Sequence, residues 1–423
     1  MARVLMVTLV YGPDTVSTAN MMTDIAQGLQ VAGHEVTVLT SLPHYNPTAQ
    51  VRNDPRFKAS WRRPFTESFE AGVRVIRVFM PLKRHKIWTR VFDYLLFQLL
   101  TKLIGLFFVE RPEVVFVTSP PITLGLSGIL ISRLRLCAFI YDVRELWPDV
   151  PVRMGLFRHP LLVRFVYALE AYVYRQASAI STIARSFQDT LAKRGVPRMK
   201  LYFTPNFVEV DFIRPSKKDN EFSREHDLNG AFVVLYAGNV GLTQGLEILI
   251  DVAAKLAADG QVQFLVVGDG AGRAGLERAV ARSGLGNFRM LPFQPVQRVN
   301  EMYATADVCV VPLRRGFSYD TVPSKIYTAM AAGRAVVACA EADSETAVLL
   351  REAAAGTCVA PESPTALIEA IRALRSSPET AYELGAAGRT WIEEHYSREV
   401  VVGAYDHMVR DVVGAASSHA GIG

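Results

Sequence analysis

Along most of the chain, short runs of β-branched and aromatic residues alternate with stretches in which apolar positions recur every three or four residues. The first pattern predicts strands buried on both faces and the second predicts amphipathic helices. Their alternation predicts βαβ units that feed parallel sheets. In the first half the strand candidates are Val4 to Thr8, Val36 to Thr40, Val73 to Val78, Val114 to Thr118, Cys137 to Tyr141 and Ala179 to Thr182. A helix fits Asn20 to Ala32, and Gly33 ends it as glycine commonly does. After Tyr202-Phe-Thr-Pro-Asn206 the pattern gives way to a polar stretch, Arg214 to Asn229, which reads as a linker. It then restarts, with strands at Val233 to Ala237, Val262 to Val267, Phe288 to Leu291, Val308 to Val311, Ala335 to Ala338 and Thr357 to Val359, and a helix over Leu246 to Ala257.

These elements predict an α/β protein of two Rossmann-like, doubly wound parallel-sheet domains facing a central cleft, one over residues 1–205 and one over 206–395. A last helix, Tyr396 to Val413, is expected to pack back on the first domain, and Gly414 to Gly423 to be disordered. The length agrees, since 423 residues exceed what a single core usually serves.

Composition narrows the function classes. Half of the residues are apolar and 21% are charged, which excludes a disordered chain. Cys137, Cys309, Cys339 and Cys358 show no metal-ligand spacing, and read as reduced thiols in a cytoplasmic protein. The apolar start lacks a small-residue cleavage site and runs directly into Tyr11-Gly-Pro-Asp14, so it reads as a strand and not as a signal peptide. The net charge of +5 conceals an asymmetry: residues 1–200 hold 26 Lys and Arg against 14 Asp and Glu, and residues 201–423 hold 20 against 27. The first half is therefore expected to meet an anionic surface or acceptor. Basic residues interleaved with aromatics are confined to one stretch, which argues against nucleic acid. That stretch begins Lys83-Arg-His-Lys-Ile-Trp-Thr-Arg90 and continues as an apolar helix to Phe108. Asp93, Gln98 and Lys102 interrupt it too often for a membrane span. It is either a core helix or a helix whose basic, aromatic end rests on an anionic membrane.

Four loops at strand ends carry candidate chemistry. In Tyr236-Ala-Gly-Asn-Val-Gly-Leu-Thr-Gln-Gly245, Gly238 and Gly241 let backbone amides approach a diphosphate, with Asn239 and Gln244 beside them. Gly268, Asp269 and Gly270 form a second such turn. Either turn alone is also what ordinary strand-to-helix geometry requires. In Phe317-Ser-Tyr-Asp-Thr-Val-Pro-Ser-Lys-Ile-Tyr327, Pro323 is expected at the first position of a helix. The amides of Ser324 and Lys325 would then face the loop with the Lys325 cation beside them, where a departing phosphate would be stabilised. In the first domain, Tyr11 to Thr18 follows the first strand, and Asp142, Arg144 and Glu145 are expected to project from a strand end.

Together these residues resemble the retaining glycosyltransferases of the GT-B fold (glycosyltransferase group 1, family 4 type). The likeness rests on Pro323-Ser-Lys-Ile-Tyr327, Met330-Ala-Ala-Gly333, Ala237 to Gly245, Val267-Gly-Asp-Gly270, Ala306-Asp-Val308 and Val311-Pro-Leu313. The first domain is similar to bacterial exopolysaccharide and O-antigen enzymes of fucosamine type, through Gly33 to Thr40, Thr118-Ser-Pro-Pro121 and Asp142-Val-Arg-Glu-Leu-Trp-Pro148. The resemblance implies a nucleotide-diphosphate sugar donor, with UDP favoured, held by Gly238, Asn239, Gly241, Gln244, Gly268, Asp269 and Gly270. Thr321, Val322, Pro323, Ser324, Thr328 and Glu345 would complete the donor site, with Phe293 near the base. It implies Lys325 at the diphosphate, Asp320 near the sugar, no cofactor and no metal. Gly12, Ser17, His44 and Tyr45 would line the acceptor side.

The chain departs from the family in three places. Of two acidic residues separated by seven positions, Asp320 matches the first and Thr328 replaces the second. Gln244 stands where many relatives have lysine, and Arg144 where many have histidine. The general base, Asp142 or Glu145, stays unassigned. A saccharide or polyprenyl-diphosphate-linked acceptor is expected, with peripheral contact at the inner membrane face. A soluble natural-product acceptor, a nucleotide-sugar epimerase and a catalytically weakened partner subunit are the rival readings.

Overall fold

The computed structural model describes residues 1–14, 16–44, 49–60, 62–80, 87–153, 155–319 and 322–420. The chain forms two compact units, Met1–Pro205 with Val401–Gly423, and Asn206–Val400.

The first unit is built on β1 (Arg3–Val7), β2 (Glu35–Ser41), β3 (Phe65–Glu70), β4 (Val73–Val78), β5 (Val114–Ser119), β6 (Ala138–Val143), β7 (Ala179–Thr182) and β8 (Leu201–Phe203). Their order in the sheet is β3-β4-β2-β1-β5-β6-β7-β8. All pairs are parallel except β3 with β4. The helices are α1 (Ser17–Val31) between β1 and β2, α2 (Ile87–Phe107) between β4 and β5, α3 (Leu124–Arg135) between β5 and β6, and α4 (Pro160–Gln176) between β6 and β7. Right-handed crossovers place α2, α3 and α4 on one face of the sheet and α1 on the other. Contacts agree, since α3 packs against both α2 and α4.

The second unit carries β9 (Phe232–Ala237), β10 (Val262–Val267), β11 (Phe288–Leu291), β12 (Val308–Pro312), β13 (Ala335–Cys339) and β14 (Gly356–Val359), all parallel, in the order β11-β10-β9-β12-β13-β14. Its strand order reverses between β9 and β12. In such sheets a ligand binds at that reversal, beyond the carboxyl ends of the strands. The helices that border this edge are α5 (Glu247–Leu256), α6 (Arg273–Ser283), α7 (Lys325–Ala331) and α8 (Glu345–Glu352). Beneath them lies a core that includes Val234, Phe264, Phe288 and Val310, with the rings of Phe264 and Phe288 stacked 6.2 Å apart.

The last helix, α9 (Arg398–Ala420), starts in the second unit and belongs to the first from Val401 onward. It is anchored there by buried Tyr405, Met408 and Val409, and by His34 Nε2, 2.6 Å from Asp406 Oδ1. A side chain at Gly28 of α1 would come within 2.4 Å of Val402, so the bare backbone admits the helix.

Five details differ from the sequence-based expectation, the first being the additional three-residue edge strand β8. The edge strand β3 is additional: its alternating Phe-Thr-Glu-Ser-Phe-Glu is half-solvated and lacks the β-branched run that marks the others. β6 continues to Val143, so Asp142 is a strand residue paired in register with Ser181, not a loop residue. The polar stretch Arg214 to Asn229 is no linker. Asn220 caps the short helix Glu221–Glu225, Lys218 pairs with Asp307, and the Arg214 amide donates to Asn300 Oδ1 at 2.9 Å, so its polar residues are tied into the second unit. Finally, α9 runs past Val413 to Ala420.

Candidate functional site

At the strand-order reversal of the second unit, β9 ends in Ala237 and the chain turns through Gly238 and Asn239. Gly268, after β10, presses so closely on this turn that a Cβ there would stand 1.8 Å from the Gly238 carbonyl oxygen. The Gly238 amide donates to Val267 O at 2.8 Å and the Val240 amide to Asp269 O at 2.9 Å. The two glycine loops are thus one bonded layer, and their glycines are required by close approach. Asp269 is exposed and accepts its neighbour Gly270's amide at 2.7 Å. Arg273, at the start of α6, donates to the carbonyls of Gly268 and Leu291 and locks the layer from below.

Lys325 opens α7 and reaches over this layer. Its Cε lies 2.9 Å from where a Gly238 Cβ would be, so glycine at 238 leaves room for the lysine stem. Its Nζ donates to the Tyr236 hydroxyl at 2.6 Å and sits 4.1 Å from the centre of that ring. The hydroxyl in turn donates to Asn239 O at 2.5 Å. One tyrosine, rising from inside β9, therefore ties the lysine to the first glycine loop. Among the described residues no carboxylate faces Lys325, and burial alone pushes its pKa down to about 7. A cation held by a neutral hydroxyl and a ring face lacks a counter-ion, and an anion placed against it would restore the charge.

The remaining residues of the second unit border this centre. Gln244 is half-buried, and its Oε1 is a buried acceptor with no partner among the described residues. Val322 is buried, and Pro323 stands ahead of the helix cap Ser324, not at the first helical position as expected. Thr328, one turn into α7, hydrogen-bonds the buried Tyr303. Glu345 is the first residue of α8, whose amide at Ala347 is capped by Ser344. Phe293 is exposed in the loop after β11. Asp320 and Thr321, like Tyr45 in the first unit, lie outside the described residues. A contact that the sequence did not suggest comes from Glu341 after β13. Its Oε1 accepts the Gly316 amide at 2.5 Å and its other oxygen accepts the Ser318 hydroxyl, which fixes Gly316 and Ser318 after β12.

In the first unit the expected cluster separates. Asp142 has no exposed surface. Its carboxylate accepts from Ser181 Oγ at 2.6 Å, from Tyr405 at 3.3 Å and from Arg144 at 3.3 Å. Arg144 is itself buried and also donates to Tyr405 at 3.2 Å. The expectation that these two side chains project from the strand end is thereby corrected: they form an internal pair that holds α9 to the sheet. Glu145 is different. It is half-buried, and burial alone raises its carboxyl above the usual range. His44 is buried too. Its ring Nδ1 lies 2.9 Å from Ser41 Oγ, and its amide donates to Asp14 Oδ1 at 2.9 Å, which ties the loops after β1 and β2 together. Gly12 in the same loop offers its carbonyl to the buried Arg77 at 2.7 Å, and Ser17 is exposed at the start of α1. Among the described residues no group of three His, Cys, Asp or Glu side chains is placed to hold a metal ion.

A glycine-lined turn at the strand-order reversal, with a cation above it that no carboxylate among the described residues faces, is the arrangement of a phosphate-binding α/β protein. Comparison with known proteins makes this specific. Residues 18–206 match the "Glycosyl transferase 4-like domain" family and residues 231–377 match "Glycosyl transferases group 1". The chain is a glycosyltransferase of the GT-B type that joins these two domains. It is 25% identical over 425 residues to the putative colanic acid biosynthesis glycosyl transferase WcaI of Escherichia coli K12, across 94% of this chain and 98% of that one. Among solved structures it is similar to the sucrose-phosphate synthase of Thermosynechococcus elongatus, with TM-score 0.74, 19% identity and coverage of 98% and 100%. It is also similar to Anabaena HepE in complex with UDP and glucose, with TM-score 0.71, 13% identity and coverage of 97% and 100%.

Proposed function

We propose that this enzyme is a retaining glycosyltransferase. It moves a sugar from a nucleotide-diphosphate donor, a UDP-sugar in preference, to a saccharide or polyprenyl-diphosphate-linked acceptor during assembly of a bacterial surface polysaccharide. The observation that carries the reading is Lys325, a half-buried cation over the Gly238 turn with no carboxylate opposite it among the described residues. The relative named for colanic acid biosynthesis and the solved structure holding UDP support the acceptor class and the donor.

In this reading the donor diphosphate lies against Lys325 and the amides of the two glycine loops. Their fixed dipoles stabilise charge as it develops on the departing phosphate, without a metal ion. The bond from the anomeric carbon to the phosphate oxygen breaks as the acceptor oxygen bonds to that carbon from the same face. The acceptor proton passes to the departing phosphate. Asp320 positions the sugar. Glu145, whose carboxyl burial raises above the usual range, contacts the acceptor hydroxyl.

A thermal-shift series of nucleotide diphosphates and their sugars, followed by transfer assays with EDTA present, tests this. A stabilising UDP-sugar with transfer that survives EDTA is the expected result. Stabilisation by no nucleotide diphosphate would overturn it.

A further inference from the structure

The face of the first unit formed by α2, α3 and α4 carries large apolar side chains that nothing among the described residues covers. On α2, Phe92, Leu95, Leu99, Leu103 and Phe107 are exposed, a stripe spaced by three or four residues over about 22 Å of helix. Leu130 and Leu134 extend it across α3. Leu161 and Phe165, 70% and 64% exposed, continue it onto α4.

The exposed charge on these three helices has one sign. α3 contains no acidic residue. The only acid of α2 is Asp93 and the only acid of α4 is Glu170, and both are buried. Arg133, Arg164 and Arg175 are exposed on the same helices, and Arg153 and Arg158 are exposed just before α4. No Asp or Glu lies between Asp149 and Glu170 in the sequence, and Lys83-Arg-His-Lys86 precedes α2 directly. Two copies of this chain docked through such a face would set cations against cations. A surface of anionic headgroups over an apolar interior complements both of its features. No helix among the described residues is long and apolar enough to cross a membrane, so the contact is one of resting on the surface.

We propose that the α2–α3–α4 face seats this enzyme on an anionic lipid bilayer, with Leu161 and Phe165 entering the headgroup boundary beside Arg158 and Arg164. It deepens, and rests on, the reading of a lipid-linked acceptor, because it brings the first unit to the membrane that would hold such a carrier.

Sedimentation of the full chain with vesicles tests it, using phosphatidylcholine alone or mixed with phosphatidylglycerol, at low and high salt. Binding is expected to the mixed vesicles only, weakened at least tenfold by salt. The double substitution Leu161→Glu and Phe165→Glu should cost a further tenfold or more, as should Leu95→Glu with Leu99→Glu. Val31→Glu, on an exposed position of α1 across the sheet, should change nothing. Unchanged binding in both double variants, equal binding to neutral vesicles, or self-association that the same substitutions abolish would each overturn the proposal. UDP-induced stabilisation measured on every variant separates the two readings. Retained UDP binding without vesicle binding rejects the membrane face alone, whereas vesicle binding without any nucleotide binding rejects the transferase reading.

Discussion

Each unit holds a charged side chain near the carboxyl edge of its sheet, Arg144 buried and Lys325 half-buried, and the two settings have opposite meanings. In the first unit Arg144 lies inside the protein against Asp142, with Tyr405 and Ser181 completing the hydrogen bonds. Nothing is missing from that network, so it is architecture: it fastens α9 to the sheet. In the second unit Lys325 lies against the hydroxyl and ring of Tyr236 and, among the described residues, no anion. Desolvation without a counter-ion leaves the lysine poised for one. A buried charge in a protein of this kind marks a binding site only when its partner is absent.

The contrast can be broken most forcefully at Arg144. Removing its guanidinium leaves Asp142 charged and stranded, which is expected to cost about 3–5 kcal/mol. Denaturant unfolding of Arg144→Ala should show that loss, and the folded fraction should still bind UDP. The pair Arg144→Met with Asp142→Asn should recover much of the stability. If Arg144→Ala unfolds like the parent protein, the network is not structural.

Next in size is Lys325→Ala. Truncating a preorganised donor to a developing phosphate charge typically lowers turnover by about 10²–10³-fold. Stability should hold or rise, because a poorly solvated ammonium is removed without breaking an ion pair among the described residues. Near-parental turnover in a folded variant would erase the difference between the two units.

This asymmetry is also where reading from sequence reached its limit. The strands and their order of appearance were legible because β-branched runs and helical periods alternate cleanly, and the glycine loops were legible because close backbone approach tolerates little else. The edge strands β3 and β8 were not, since a half-solvated strand carries no buried apolar run. Asp142 looks the same in sequence whether it points to solvent or to Ser181. The residue that decides, Tyr405, comes from the far end of the chain. Tyr236 was hidden by its setting, being one aromatic among the apolar residues of β9, where only its hydroxyl reveals the link to Lys325. The Arg214 to Asn229 stretch misled for a related reason: polarity there serves capping and ion pairs within the unit, not a solvated linker.

The smaller predictions concern protons. With its pKa pushed down to about 7, Lys325 is mostly neutral at pH 8 in the free enzyme and mostly charged at pH 6. A bound diphosphate stabilises the ammonium and raises that pKa. Binding at pH 8 should therefore take up close to one proton, binding at pH 6 almost none, and donor affinity should fall as pH rises above about 7. Calorimetry in buffers of different ionisation enthalpy measures the uptake directly, and Lys325→Met should abolish it.

Tyr236→Phe is the mildest test and the most discriminating. It removes the acceptor for Nζ and the donor to Asn239 O but leaves the ring face beneath the cation. A hydrogen bond of this kind contributes about 0.5–1.5 kcal/mol, so donor affinity should weaken by roughly 2- to 12-fold. Losing the hydroxyl also disfavours the ammonium in the free enzyme, so the onset of proton uptake should move to lower pH. A tyrosine that served packing alone could lower affinity slightly, but it would leave the pH at which uptake begins where it was. A shifted onset accompanied by intact unfolding behaviour would assign Tyr236 to the charge state of Lys325, and an unmoved onset would return it to the core of β9.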